Sequence, residues 1–120
     1  ISFGGDYSNL TKAYEDINSR KYASALARAT SAIEENPTDP IPHSYKGISL
    51  YHLGKLNDAI LHLNTATQLD PNNSTTIYNL GLAYMASNNT KEAISQFEKA
   101  LSIDPSLKRD IELTEALESK

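Results

Sequence analysis

The chain has 120 residues, of which 39% are hydrophobic and 22% charged, with a net charge of -4 and no cysteine. That length suits one domain, and the lack of cysteine removes disulfides, thiolate catalysis and cysteine-ligated metals and suits a cytoplasmic setting. An acidic balance without any lysine- or arginine-rich cluster argues against nucleic acid, and no apolar run approaches the roughly 20 residues that a membrane helix needs.

The first residue is Ile1, which reads as the start of a piece of a longer protein or of a processed chain. Residues 1–6 are expected to form a flexible tail, because Gly4-Gly5 disfavours helix and little apolar pattern anchors it. Residues 7–39 read as a first helical hairpin. Its second helix is marked by Ala25, Ala29, Ala32 and Pro37, each 34 residues before Ala59, Leu63, Ala66 and Pro71. Its first helix fits less well. Leu10, Ala13, Tyr14 and Ile17 align with the later units if the turn near residues 19–21 is one residue shorter, which puts Tyr14 where the others have glycine. Turns of equal length would instead put Ala13 in that small slot and Asn9 and Asp16 at core places. The shorter turn is preferred, since a terminal unit lacks a neighbour and is often atypical.

The second hairpin, 40–73, opens with Asp39 as a cap and Pro40 in the first turn, both suited to a helix start. Lys46 and His43 stand at core places, where lysine can lay its stem along the core and keep its charge in water. In the third hairpin, 74–107, Ile77, Leu80 and Tyr84 form one apolar face with Gly81 in its middle. Glycine there costs roughly 1 kcal/mol of helix propensity, so a close helix approach is expected, with Ala93 and Ala100 as counterparts. Ala93, Ile94, Phe97, Ala100, Leu101 and Ile103 are expected to enter the core. Asn89 and Glu92 have the spacing of a capping box, and Asp104-Pro105 ends the helix. A last helix over 107–120 would be capped by Ser106 and would offer Leu107, Ile111, Leu113 and Leu117 to the core.

Gly47 and Gly81, Ala59 and Ala93, Leu63 and Phe97, Ala66 and Ala100, and Pro71 and Pro105 all lie 34 residues apart. The series Ile77, Leu80, Gly81, Tyr84, Ala93, Phe97, Ala100, Pro105 resembles the tetratricopeptide repeat (TPR), W-x2-L-G-x2-Y, then A-x3-F, then P, with the tryptophan slot replaced. The resemblance implies an all-α fold: a right-handed α-solenoid of three TPR hairpins plus a C-terminal capping helix, about seven helices.

Residues with catalytic or metal-binding chemistry are few. His43 and His52 lie about 13 Å apart along a helix at 1.5 Å per residue, too far to share an ion, and His62 lacks a partner four residues away. His43 reads as a half-buried core residue, and His52 and His62 as surface residues. There is no nucleophile motif or phosphate loop, so no enzyme, cofactor or metal is expected. Asn9-Leu10-Thr11, Asn72-Asn73-Ser74, Asn73-Ser74-Thr75 and Asn88-Asn89-Thr90 match the glycosylation sequon and are read as turn and cap chemistry. Tyr84 and Tyr22 are expected in the core; Tyr45, Tyr51 and Tyr78 fall off its stripe.

In the family that this chain resembles, the first helices of the hairpins line a concave groove that receives an extended peptide or a helix. The resemblance implies a partner-binding groove of Ser44, Tyr45, Ile48 and His52 in the second unit and Tyr78, Asn79, Leu82 and Ala86 in the third, with Asn79 bonding a ligand's backbone. The first unit adds Thr11, Glu15 and Asn18. Co-chaperones of the family grip acidic chaperone tails through lysine, asparagine and arginine, and the matching places here hold Thr11, Glu15, Tyr45, Thr75 and Asn79, none of them positive. The reading is a protein-binding adaptor for an apolar or neutral partner. The alternative is self-assembly through the repeat ends or groove.

Overall fold

A computed structural model describes the backbone of residues 4–118 and the side chains of residues 8–117. The described residues form helices and no strands: α1 (Gly4–Asn18), α2 (Tyr22–Glu35), α3 (Pro40–His52), α4 (Leu56–Leu69), α5 (Ser74–Ala86), α6 (Thr90–Ile103), a 3-10 turn (Pro105–Leu107) and α7 (Lys108–Glu118). Each helix up to α6 packs on the next, and α1, α3 and α5 also touch in series, giving an elongated stack of 50 × 25 × 22 Å. The fold is an α-solenoid.

The two glycines on the apolar faces set the hairpin spacing. A Cβ on Gly47 would stand 2.5 Å from Leu63 Cγ, and one on Gly81 would stand 2.5 Å from Phe97 Cε1. The counterpart of Gly81 is therefore the Phe97 ring rather than Ala93 or Ala100, although both alanines are buried nearby. Leu63 and Phe97 are fully enclosed, and burying a side chain of that size contributes about 1.5–3 kcal/mol. Around Leu63 gather Leu50, Ala59, Leu80 and Ala83; around Phe97 gather Met85, Ala93 and Ile111.

The three turns inside the hairpins are alike. Arg20, Gly54 and Asn88, spaced by 34 residues, all have positive φ (59°, 80° and 66°). In each turn the next residue's amide reaches five residues back: Lys21 to Asp16 O at 2.7 Å, Lys55 to Leu50 O and Asn89 to Tyr84 O, both at 2.9 Å. Equal turns overturn the shorter-turn alignment of the first unit. Ala13 takes the small slot, fully buried, and Tyr14 is 54% exposed. The core places that fall to Asn9 and Asp16 are tolerable because each finds a polar partner on α2, in the terminal hairpin of the stack. Asn9 Nδ2 donates to Glu35 Oε1 at 2.8 Å, and Asp16 Oδ2 accepts from Ser24 Oγ at 2.6 Å.

Helix starts are only partly as expected. Asp39 accepts from the Ile41 amide at 3.0 Å, and Asn73 accepts from the Thr76 amide at 3.2 Å. Asn89 makes no capping bond, because its side chain turns back to donate to Ser87 Oγ. Ser106 does not cap the last helix either; Asp104 accepts from its amide at 3.0 Å and its hydroxyl at 2.7 Å, closing the 3-10 turn. Helix α1 begins at Gly4, so the expected tail is corrected over Gly4–Asp6, while residues 1–3 lie outside those described. Once a helix is anchored, each added residue gains a hydrogen bond, which offsets the glycine propensity cost.

Several apolar residues expected inside are outside. Ile94 and Ile103 sit on the rim of α6, exposed, with Leu101 half-buried. Among the described side chains of α7 only Ile111 is buried; Leu113 and Leu117 are 54% and 70% exposed. One packed stripe meets the stack there, and positions 113 and 117 are turned away from Ile111.

Candidate concave binding cleft

The adjacent faces of α1, α3 and α5 leave a cleft of about 280 Å3 near the start of α3. Its floor is Ser44, whose hydroxyl lies 3.0 Å from Thr76 Oγ1 and so stitches α3 to α5. Ser44 is buried and lines the cleft without offering a free hydroxyl. One wall is aromatic: the rings of Tyr14 and Tyr45 lie 6.0 Å apart, tilted by 37°. Ile41 and Ile48 add apolar surface, and Asp70, Asn73 and Thr75 close the side next to α5. Tyr45 is half-buried, and its phenol pKa is raised by that burial first, then by Tyr14 and by Asp39, so the hydroxyl stays a neutral donor and acceptor.

The expected groove residues do not stay together. Ser44, Tyr45 and Ile48 line the cleft, together with Tyr14, Ile41 and Thr75. Tyr14 replaces Glu15 once the register is corrected, since 14, 48 and 82 are spaced by 34; the equality of turns was the signal that finds it. Tyr78 and Leu82 are instead packed internally. Both pack on the Phe97, Met85 and Ile111 cluster, and the Tyr78 hydroxyl lies 3.4 Å from Thr114 Oγ1. Asn79 Nδ2 donates to Thr75 O at 2.9 Å within its own helix, and Ala86 is exposed at the end of α5.

His52 belongs to another cluster. Its ring stacks on Tyr22 at 4.2 Å and 11° and meets the edge of Tyr51 at 5.0 Å. Tyr22 is thus half-buried against a histidine rather than in the core, and Tyr51 is half-buried against the Leu63 cluster rather than exposed. The His52 pKa is lowered, by partial burial first and then by Arg20.

His43 is more deeply buried than expected, and His62 is half-buried rather than on the surface. Their rings stack at 5.8 Å across α3 and α4, and His43 Nε2 is bonded to Pro37 O at 2.9 Å. The His62 pKa is lowered by burial, Lys46 and His43, against a smaller upward pull from Asp58. Among the described residues no three histidine, aspartate or glutamate side chains converge as metal ligands. No described helix is long and apolar enough to cross a membrane.

The corrected register also moves the clamp places by one residue, from Thr11 and Glu15 to Leu10 and Tyr14, beside Tyr45, Thr75 and Asn79. The set is uncharged throughout.

Comparison with known proteins places this geometry in context. A family model described as "TPR repeat" matches residues 47–88, and one described as "Tetratricopeptide repeat" matches residues 75–107. The small glutamine-rich tetratricopeptide repeat-containing protein 2 of Mycosarcoma maydis is 28% identical over 90 residues, 75% of this chain and 26% of that protein. The probable UDP-N-acetylglucosamine--peptide N-acetylglucosaminyltransferase SPINDLY of Arabidopsis thaliana is 30% identical over 102 residues, 85% of this chain and 11% of that protein. The chain therefore spans about a quarter or less of these curated relatives. Among solved structures, the first TPR of Spaghetti (RPAP3) bound to an HSP90 peptide superposes with a TM-score of 0.84 at 17% identity, covering 100% of this chain and 98% of that one. The TPR2B domain of yeast Sti1 in a pHsp70 complex gives 0.87 at 21% identity, covering 96% of each chain. At these identities the likeness is one of fold.

Proposed function

Since the chain belongs to the tetratricopeptide repeat family, we propose that it is a non-enzymatic protein-interaction module that holds a segment of another protein in its concave cleft. The observation that carries this reading is the aromatic and apolar wall of Tyr14, Tyr45 and Ile48, open on the side where no element of the described chain covers it. A cleft of about 280 Å3 sits at the small end of ligand sites, so it accommodates a side chain or two of an extended peptide rather than a cofactor. Solved fold neighbours are bound to HSP90 and pHsp70 segments, which supports a peptide as the class of ligand. The uncharged clamp places argue for a different peptide from an acidic chaperone tail.

The test is affinity capture from lysate of the source cells with three baits: the parent chain, Tyr14→Ala in the cleft, and Leu61→Ala on the exposed side of α4. A partner held by the parent and by Leu61→Ala but lost by Tyr14→Ala supports the cleft. A partner retained by Tyr14→Ala removes the cleft from the account. Leu82 does not serve as a cleft probe, because a charge there enters the Phe97 cluster.

Self-assembly is the second reading, favoured by Leu113 and Leu117 standing exposed on α7. Light scattering decides it: a mass that rises with concentration supports assembly, and a constant mass near 13.2 kDa contradicts it.

A further inference from the structure

The cleft carries a charge that the fold itself does not use. In the third hairpin, Asp104 spends its carboxylate on the Ser106 amide and hydroxyl. The corresponding residue in the second hairpin is Asp70, and Asn72 stands where the later unit has Ser106. The Asp70 side chain makes no hydrogen bond or ion pair with any described residue, although it is half-buried and lines the cleft. Among the described residues no lysine, arginine or histidine lines that cleft, and Asp70 is the one charged wall residue. A second carboxylate, Asp39, acts on Tyr45 from nearby.

Three classes of occupant meet this wall differently. An acidic segment would bring like charge against Asp70 in a partly dehydrated place, which is unfavourable. A purely apolar one would cover Asp70 and take water from an unpaired carboxylate, which costs free energy without return. A basic side chain satisfies both features at once, because its stem is apolar and its head is cationic. The tyrosine faces also attract a cation directly.

We infer that the cleft selects a partner segment bearing a basic side chain, which lays its stem along the Tyr14–Tyr45 ring pair and sets its charge against Asp70. This rests on the peptide-binding reading above and adds the chemistry of the ligand to it. The preference is opposite in sign to that of a clamp for acidic tails.

Selection from a random peptide library displayed on phage tests both layers separately, with the parent chain, Asp70→Asn and Tyr14→Ala as baits. Asparagine is compatible with position 70, since Asn36 holds the corresponding place in the first hairpin and Asp70 has no side-chain bond to lose. The parent should enrich peptides with arginine or lysine at a fixed position. Asp70→Asn should bind those peptides about tenfold or more weakly, as expected for loss of a charge-assisted bond. Peptides that depend on Tyr14 but show no basic preference, or an acidic one, overturn the charge inference and leave the cleft reading standing. If the same peptides bind Tyr14→Ala as well as the parent, or if none is enriched, both readings fall.

Discussion

Gly81→Ala isolates the contact that sets the spacing of the third hairpin. Two effects oppose each other. Alanine is favoured over glycine inside a helix by about 1 kcal/mol, so propensity alone predicts stabilisation. The new Cβ, however, would lie 2.5 Å from Phe97 Cε1 and 2.6 Å from Cδ1, far inside ordinary contact. Phe97 is 1% exposed, and a ring cannot yield as a flexible chain end can. Forcing an extra methyl into such a place costs about 1–3 kcal/mol. The clash therefore wins, with a net loss of about 1 kcal/mol that can reach ~2. Urea unfolding followed by circular dichroism reads this as a midpoint lowered by roughly 0.5–1 M, at a slope of about 1–2 kcal/mol/M. Pairing the change with Phe97→Ala should turn the effect of alanine at position 81 to neutral or favourable relative to Phe97→Ala alone, because a truncated side chain leaves room; leucine would not suffice, since Leu63 Cγ stands 2.5 Å from a Cβ on Gly47. A Gly81→Ala protein more stable than the parent would refute the reasoning, since propensity would then outweigh packing.

Two further outcomes follow from the turns and the histidines. Arg20 pays the left-handed penalty that Gly54 avoids, so Arg20→Gly should raise stability by about 0.5–1 kcal/mol after the added unfolded-state entropy, measured by the same urea titration. His62 and His52 have lowered pKa values, so the native chain takes up protons less readily than the unfolded chain, whose histidines titrate near about 6.5. Their contribution is complete above that value and is lost as pH falls through it and through the lower native values. The urea midpoint should drop between about pH 7.5 and about pH 5.5, and His62→Gln should flatten the dependence.

The repeat was legible because packing at a fixed period needs the same sizes at the same places. Gly47 and Gly81 must be small where Leu63 and Phe97 cross them, and that constraint is written directly in the spacing. The first unit was harder to read for a physical reason. In the terminal hairpin of the stack, Asn9 and Asp16 can occupy core places by bonding to Glu35 and Ser24, so the apolar pattern slips by one residue there. Arg20 hid the equal turn as well, because arginine is not a residue that marks positive φ. Of the eight expected groove residues, three, Ser44, Tyr45 and Ile48, line the cleft. The place of Tyr78 depended on where α7 docks, and Leu82 packs on the Phe97 cluster, so neither was assignable from its helix face alone. Periodicity alone assigns residues to a face of a helix, and it does not say which neighbour covers that face. Nothing in the spacing singles out Asp70; its free carboxylate emerges from comparison with the bonds of Asp104.

The most direct measurement is amide chemical-shift mapping on isotope-labelled protein, titrated with a peptide chosen by the library selection. The largest changes are expected at Tyr14, Tyr45, Ile48, Asp70 and Thr75, with the outer residues Leu61 and Ile94 unmoved. Changes centred on Leu61 and Ile94, or on α7 alone, would show that the concave cleft is not the binding surface.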